Sequence, residues 1–125
     1  MIRLVLVDDQ PIVRQGLRKR LTLEPDMTVV GEAGNGSEAV TLVQQLTPDI
    51  VLMDIEMPVM DGIAATAVLR KSAPQSAVVL LTIYDNVSTR ARAHAAGAAA
   101  FVHKSGDIDI LLAAIRQTAE QGHWT

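Results

Sequence analysis

The chain has 125 residues, 49% of them hydrophobic, with 11 basic and 14 acidic side chains, a net charge of −3 and a pI near 5.5. That size and apolar content suffice for one domain with its own core, and the acidic balance excludes nucleic-acid binding by bulk electrostatics. Cysteine is absent, which excludes disulfides and thiolate metal sites; no apolar run reaches the ~20 residues of a membrane helix, and Asp8 comes too early for a signal peptide, so the cytoplasm is the expected compartment.

In chain order, Ile2 to Val7 is an almost continuous run of branched apolar residues and predicts a strand buried on both faces. Pro11 suits the first turn of a helix whose inner face would carry Ile12, Val13, Leu17 and Leu21. Glu24-Pro25-Asp26 stops that helix, and Met27 to Ala33 forms a second strand. Asn35-Gly36-Ser37 supplies a turn and a cap for a helix marked by Ala39, Val40, Val43 and Leu46, which Pro48 ends. Ile50 to Met53 is the third strand. The loop from Asp54 to Gly62 leads into a helix ending near Ser72, with Asp61-Gly62 as its turn chemistry. Ala77 to Leu81 is the fourth strand, Asn86 to Ala96 an alanine-rich helix with Gly97 as C-cap, and Ala99 to Val102 the fifth strand. Ser105 is placed to cap a last helix with the stripe Ile108, Leu111, Leu112, Ile115 and Ala119, and Asp107 and Asp109 suit its positive start.

Five strand–helix units imply right-handed crossovers and a parallel sheet covered on both sides. The chemistry-bearing residues fall at the strand ends: Asp8 and Asp9 after the first strand, Asp54 after the third, Thr82 after the fourth and Lys104 after the fifth. In an open parallel sheet those ends build the ligand crevice, so the carboxylates converge. Such carboxylates repel by several kcal/mol per pair at an effective dielectric of about 20 and stay ionised only beside a cation, so the cluster calls for a metal. Taken singly, each has a plainer reading: Asp8 as a helix cap, Lys104 as a solvated strand end, Thr82 as a β-former. Taken jointly, the functional reading prevails. His94, His103 and His123 lack ligand spacing and read as surface or packing residues; Arg14, Arg18, Lys19 and Arg20 read first as a solvated helix face and second as a docking aid.

This set of residues, in this order, resembles the receiver domain of bacterial two-component response regulators. The stretches LVDDQPIVRQGLRKRL, GEAGNGSEAV and LLTIYDN, with Ile83 after Thr82 and Ser105 after Lys104, resemble the NarL/FixJ-like (LuxR-type) subfamily in particular. The resemblance spans the whole chain and implies a flavodoxin-like (βα)5 fold with five parallel strands in the order 2-1-3-4-5. It implies that Asp54 takes a phosphoryl group from a phosphohistidine of a sensor histidine kinase. Mg²⁺ or Mn²⁺ would be held by Asp9, Asp54 and the backbone carbonyl of Glu56, with Asp8 acting mainly through water. Lys104 would pair with the phosphoryl oxygens, Thr82 would hydrogen-bond to one of them, and Thr82 with Phe101 would form the switch, although packing alone explains a Phe between aliphatic residues equally well. Ser105 stands where the family commonly has a proline that makes a cis peptide after the lysine.

The same resemblance implies a protein that is not an enzyme, accepting phosphoryl stoichiometrically and dephosphorylating slowly. It further implies a homodimer on phosphorylation, a single receiver domain over residues 1–125, and a helix-turn-helix domain C-terminal to it through which alone DNA would be bound. Other readings compete. A stand-alone receiver would act by protein contacts. A haloacid-dehalogenase-type, Mg²⁺-dependent aspartyl-phosphate phosphatase would need a second Asp where Glu56 stands, and an FMN carrier would need a Ser/Thr/Gly-rich loop where Asp9-Gln10-Pro11 stands.

Overall fold

The computed structural model describes residues 1–121. Strands and helices alternate as β1 (Ile2–Val7), α1 (Pro11–Thr22), β2 (Met27–Ala33), α2 (Gly36–Leu46), β3 (Ile50–Asp54), α3 (Gly62–Ser72), β4 (Ala77–Thr82), α4 (Val87–Ala96), β5 (Ala100–His103) and α5 (Ile108–Gln121). The strands form one parallel sheet in the order β2-β1-β3-β4-β5, the order expected from sequence. β3 and β4 each run one residue further than their apolar runs and so include Asp54 and Thr82, and β5 sits one residue later than the sequence predicts.

Alternation along the strands divides the core in two. Val5, Val7, Val51, Met53, Val78 and Leu80 face one side and pack under Ala39 and Val43 of α2, Ala65 and Leu69 of α3 and Ala93 of α4. Leu4, Leu6, Ile50, Leu52, Val79 and Leu81 face the other side, under Leu21 of α1 and Leu111, Leu112 and Ile115 of α5. The central strands β3 and β4 are therefore buried at every residue, which is why their sequences show no alternation.

Two local readings are corrected. Ile12 is 83% exposed rather than buried in the core, because it lies over a cavity between α1 and α5 that it lines with Leu17, Val102 and Leu111; Leu21 is the buried residue of that helix. Ser105 does not cap α5: its amide and hydroxyl turn back to His103 Nδ1 at 3.2 and 2.9 Å. The helix begins at Ile108, so Ser105 lies too early, and the Asp107 carboxylate instead accepts from the Asp109 N–H at 2.9 Å.

The loop after β3 is clamped from several sides. Ile55 N–H donates to Leu81 O at 3.0 Å and Gly62 N–H to Ile55 O at 2.9 Å, closing the loop back onto the end of β3. Gly62 is required there, since a Cβ would overlap the Asp54 carbonyl oxygen. Asp61 caps α3 by accepting from the Ala64 N–H at 2.8 Å. Val59, in the same loop, carries a left-handed φ of 71°.

Candidate functional site

Because β1 and β4 flank β3, with β5 beyond β4, the ends of these strands lie side by side at one edge of the sheet. Asp8 follows β1, Asp54 ends β3, Thr82 ends β4 and Lys104 follows β5, so the residues singled out from sequence converge. One carboxylate oxygen each from Asp8, Asp9 and Asp54 lies within 4.8 Å of the others, a grouping able to hold a metal ion. Asp8 and Asp54 are buried and Asp9 is exposed. Lys104 Nζ sits between the two buried carboxylates, 2.6 Å from Asp8 Oδ2 and 3.1 Å from Asp54 Oδ2.

One ammonium beside three carboxylates leaves the cluster net negative. Burial pushes the Asp54 carboxyl above the ordinary carboxylate range; the hydrogen bond and charge of Lys104 oppose this, and the charges of Asp8 and Glu56 add to it. Burial alone would lower the pKa of Lys104, but its hydrogen bonds to Asp54 and Asp8 and their charges hold it above the usual lysine value.

Second-layer contacts orient the acidic loop. The other oxygen of Asp8 accepts the Gln10 N–H at 2.8 Å, and Arg14 Nη1 donates to the Asp8 carbonyl oxygen at 2.5 Å while its Nε bonds Glu32 at 2.9 Å. Arg18 also pairs with Glu32, and Arg20 pairs with Glu24 at 2.7 Å. Arg14, Arg18 and Arg20 on α1 are thus ion-paired, while Arg18 and Lys19 are also exposed to solvent. β2 lies beside β1 and brings Glu32 beneath α1, a juxtaposition that helical spacing does not report.

Thr82 is fully buried. Its hydroxyl donates to the Glu56 carboxylate, at 3.0 Å to one oxygen and 3.3 Å to the other, and accepts the Tyr84 N–H at 2.9 Å. Sequence reasoning assigned Glu56 only a carbonyl and missed its side chain, since nothing in the local pattern links positions 26 residues apart. Arg92 was missed as well. From α4 it lines an open cavity of about 370 Å³ together with Asp9, Glu56, Met57 and Asp61. Phe101 is half-buried against the α2–α4 side of the core, and the Arg90 guanidinium, paired with Asp85 at 2.6 Å, lies 4.6 Å from its ring centroid. His94 is exposed, His103 contacts Ser105, and His123 lies outside the described residues.

A family model described as the response regulator receiver domain matches residues 4–116. The chain belongs to the response regulator receiver family. It is 36% identical over 121 residues to the transcriptional regulatory protein DegU of Brevibacillus brevis, an alignment covering 97% of this chain and 51% of that protein. Among solved structures it is similar to a LuxR-family two-component response regulator from Aurantimonas sp., with TM-score 0.93 and 36% identity over 98% of this chain and 88% of the other. It also matches the signal receiver domain of NarL from Mycobacterium tuberculosis, with TM-score 0.91 and 33% identity over 95% and 96% of the two chains. The homologues are response regulators of the NarL/LuxR type, and the chain spans about half the length of the curated relatives it matches. Among the described residues no helix is long and apolar enough to cross a membrane.

Proposed function

We propose that the chain is a phosphoacceptor receiver in which Asp54 takes a phosphoryl group from a phosphohistidine of a sensor histidine kinase. The observation that carries this reading is the buried pair Asp54 and Asp8 joined by Lys104, beside Asp9 and the buried hydroxyl of Thr82. In the transfer an Asp54 carboxylate oxygen forms a bond to phosphorus as the P–N bond breaks, and the imidazole nitrogen keeps that electron pair. Lys104 Nζ offers its charge to the incoming phosphoryl oxygens, and Thr82 offers them a hydrogen bond. The chain supplies positioning and charge, does so once per molecule, and is not a turnover enzyme.

The donor set is all oxygen, with two buried carboxylates and one exposed, which fits Mg²⁺ or Mn²⁺ better than a soft metal. Asp9, Asp54 and the Glu56 carbonyl would hold the ion, with Asp8 acting mainly through water. When bound, the ion neutralises the charge of the carboxylates and the phosphoryl group. Asp54→Asn should abolish phosphorylation by acetyl phosphate, and excess chelator should abolish it in the wild type; intact-mass spectra showing equal phosphorylation in either case would overturn the assignment.

The same proposal extends to output. Thr82 moving toward a phosphoryl group would vacate space that Phe101 can fill, and the resulting change in the surface around β5 and α5 would favour a homodimer. The half-length match and the transcriptional regulators among the relatives support a C-terminal DNA-binding domain in the full protein, acting in the cytoplasm and binding DNA where this domain does not. Light scattering giving one mass with and without beryllofluoride, a phosphoryl analogue, would refute dimerisation through this domain.

A further inference from the structure

We propose that the Glu56 side chain is a positioning residue for phosphorylation: its carboxylate holds the Thr82 hydroxyl in the unphosphorylated state, and the phosphoryl group must win that hydroxyl from it. This rests on the phosphoacceptor reading of Asp54. A threonine hydroxyl carries one proton and can donate one hydrogen bond. In the structure that bond goes to Glu56, at 3.0 Å to one carboxylate oxygen and 3.3 Å to the other, while the acceptor side of the hydroxyl is engaged by the Tyr84 N–H at 2.9 Å. The hydroxyl is fully buried, so water does not compete for it. Donation to Glu56 and donation to a phosphoryl oxygen on Asp54 are therefore mutually exclusive.

Glu56 is suited to this role by its place. It lies two residues beyond Asp54, at the rim of the open cavity shared with Asp9, Asp61 and Arg92, and its own charge reaches Asp54. A charged acceptor makes the bond stronger than a neutral one, so the unphosphorylated arrangement is held by an interaction that phosphorylation must replace. Releasing the hydroxyl beforehand shifts the resting equilibrium toward the phosphoryl-competent state, and the apparent affinity for a phosphoryl group rises by the same factor.

The test measures affinity for beryllofluoride in Mg²⁺ by titration. Glu56→Ala, which removes the acceptor and the charge, should bind about tenfold tighter than wild type, equivalent to ~1.4 kcal/mol. Glu56→Gln keeps an acceptor oxygen without the charge and should fall between the two. In a Thr82→Ala background the Glu56→Ala gain should vanish, and in Thr82→Ser, which keeps the hydroxyl, it should persist. Equal gains for Ala and Gln that survive removal of the hydroxyl would mean that charge alone acts, and no gain in Glu56→Ala would likewise overturn the proposal. Wild type that binds no beryllofluoride would remove the phosphoacceptor reading together with this one. A second readout needs neither ion: in metal-free protein the Tyr84 amide should exchange with solvent faster in Glu56→Ala than in wild type, and an unchanged rate would refute the latch.

Discussion

Asp54→Asn should stabilise the metal-free protein, although it removes the residue on which the proposed function depends. The carboxylate oxygens of Asp8, Asp9 and Asp54 lie within 4.8 Å of one another. At an effective dielectric of about 20, two like-charge pairs involving Asp54 at that separation cost about 7 kcal/mol. Lys104 Nζ stands 3.1 Å from Asp54 Oδ2. By the same relation it returns about 5 kcal/mol, which leaves Asp54 repelled by roughly 2 kcal/mol before its burial is counted. Exposure of Asp9 screens part of the repulsion, so the expected gain from Asp54→Asn is about 1–2 kcal/mol, or roughly 5 °C in the thermal midpoint. The pH dependence follows from the raised folded-state pKa of Asp54, with burial as its first cause, against the ordinary 3.8. A raised value means that the folded state binds the proton more readily than the unfolded chain. The Asp54 contribution to wild-type stability should therefore rise as pH falls from neutral through the folded pKa and level off below the ordinary one, and the advantage of Asp54→Asn over wild type at the same pH should close over that window, whatever the carboxylates shared by both proteins do. Urea melts in chelator at neutral pH and near pH 4 measure both. A variant less stable than wild type at neutral pH would show that the Lys104 ion pair outweighs repulsion and desolvation, and would refute the balance struck here.

Gly62→Ala should destabilise by about 1–3 kcal/mol, because its Cβ would press on the Asp54 carbonyl oxygen in a loop closed by backbone hydrogen bonds; a denaturant melt within ~0.5 kcal/mol of wild type would show that the loop yields freely. Val59→Asn should stabilise by about 0.5–1 kcal/mol, since a β-branched residue stands at a left-handed φ of 71° that Asn accepts; a lower thermal midpoint would contradict this. Ile83 directly follows the buried Thr82 and is exposed, and if Asp54 carries a phosphoryl group its branched side chain is expected to crowd the approach of water to it. Ile83→Ala should lose phosphate faster, as followed by intact mass over time, and an equal or slower loss would place control of access elsewhere.

The inner strands of this protein were legible because they are buried on both faces: β3 and β4 read as apolar runs and β1 as one interrupted only by Arg3, and the polar residues that end them mark one edge of a parallel sheet. Helix limits were legible where local chemistry acts alone, as at the Asn35 cap, whose side chain accepts from the Glu38 N–H, and at Gly97 with its left-handed φ. Alternation of strand and helix then placed Asp8, Asp9, Asp54, Thr82 and Lys104 together without any knowledge of distances. Which of these groups touch was a tertiary decision. Lys104 bridges Asp8 and Asp54, Thr82 donates to Glu56, and Arg14 braces the acidic loop from Glu32, all across separations that carry no periodic signal. The exposure of Ile12 has the same origin, because helical periodicity defines a face but not how closely the neighbouring helix covers it. Local sequence determines which elements form and what chemistry each strand end carries; hydrogen-bond partners and buried charge are settled only when packing fixes which side chains exclude water from one another.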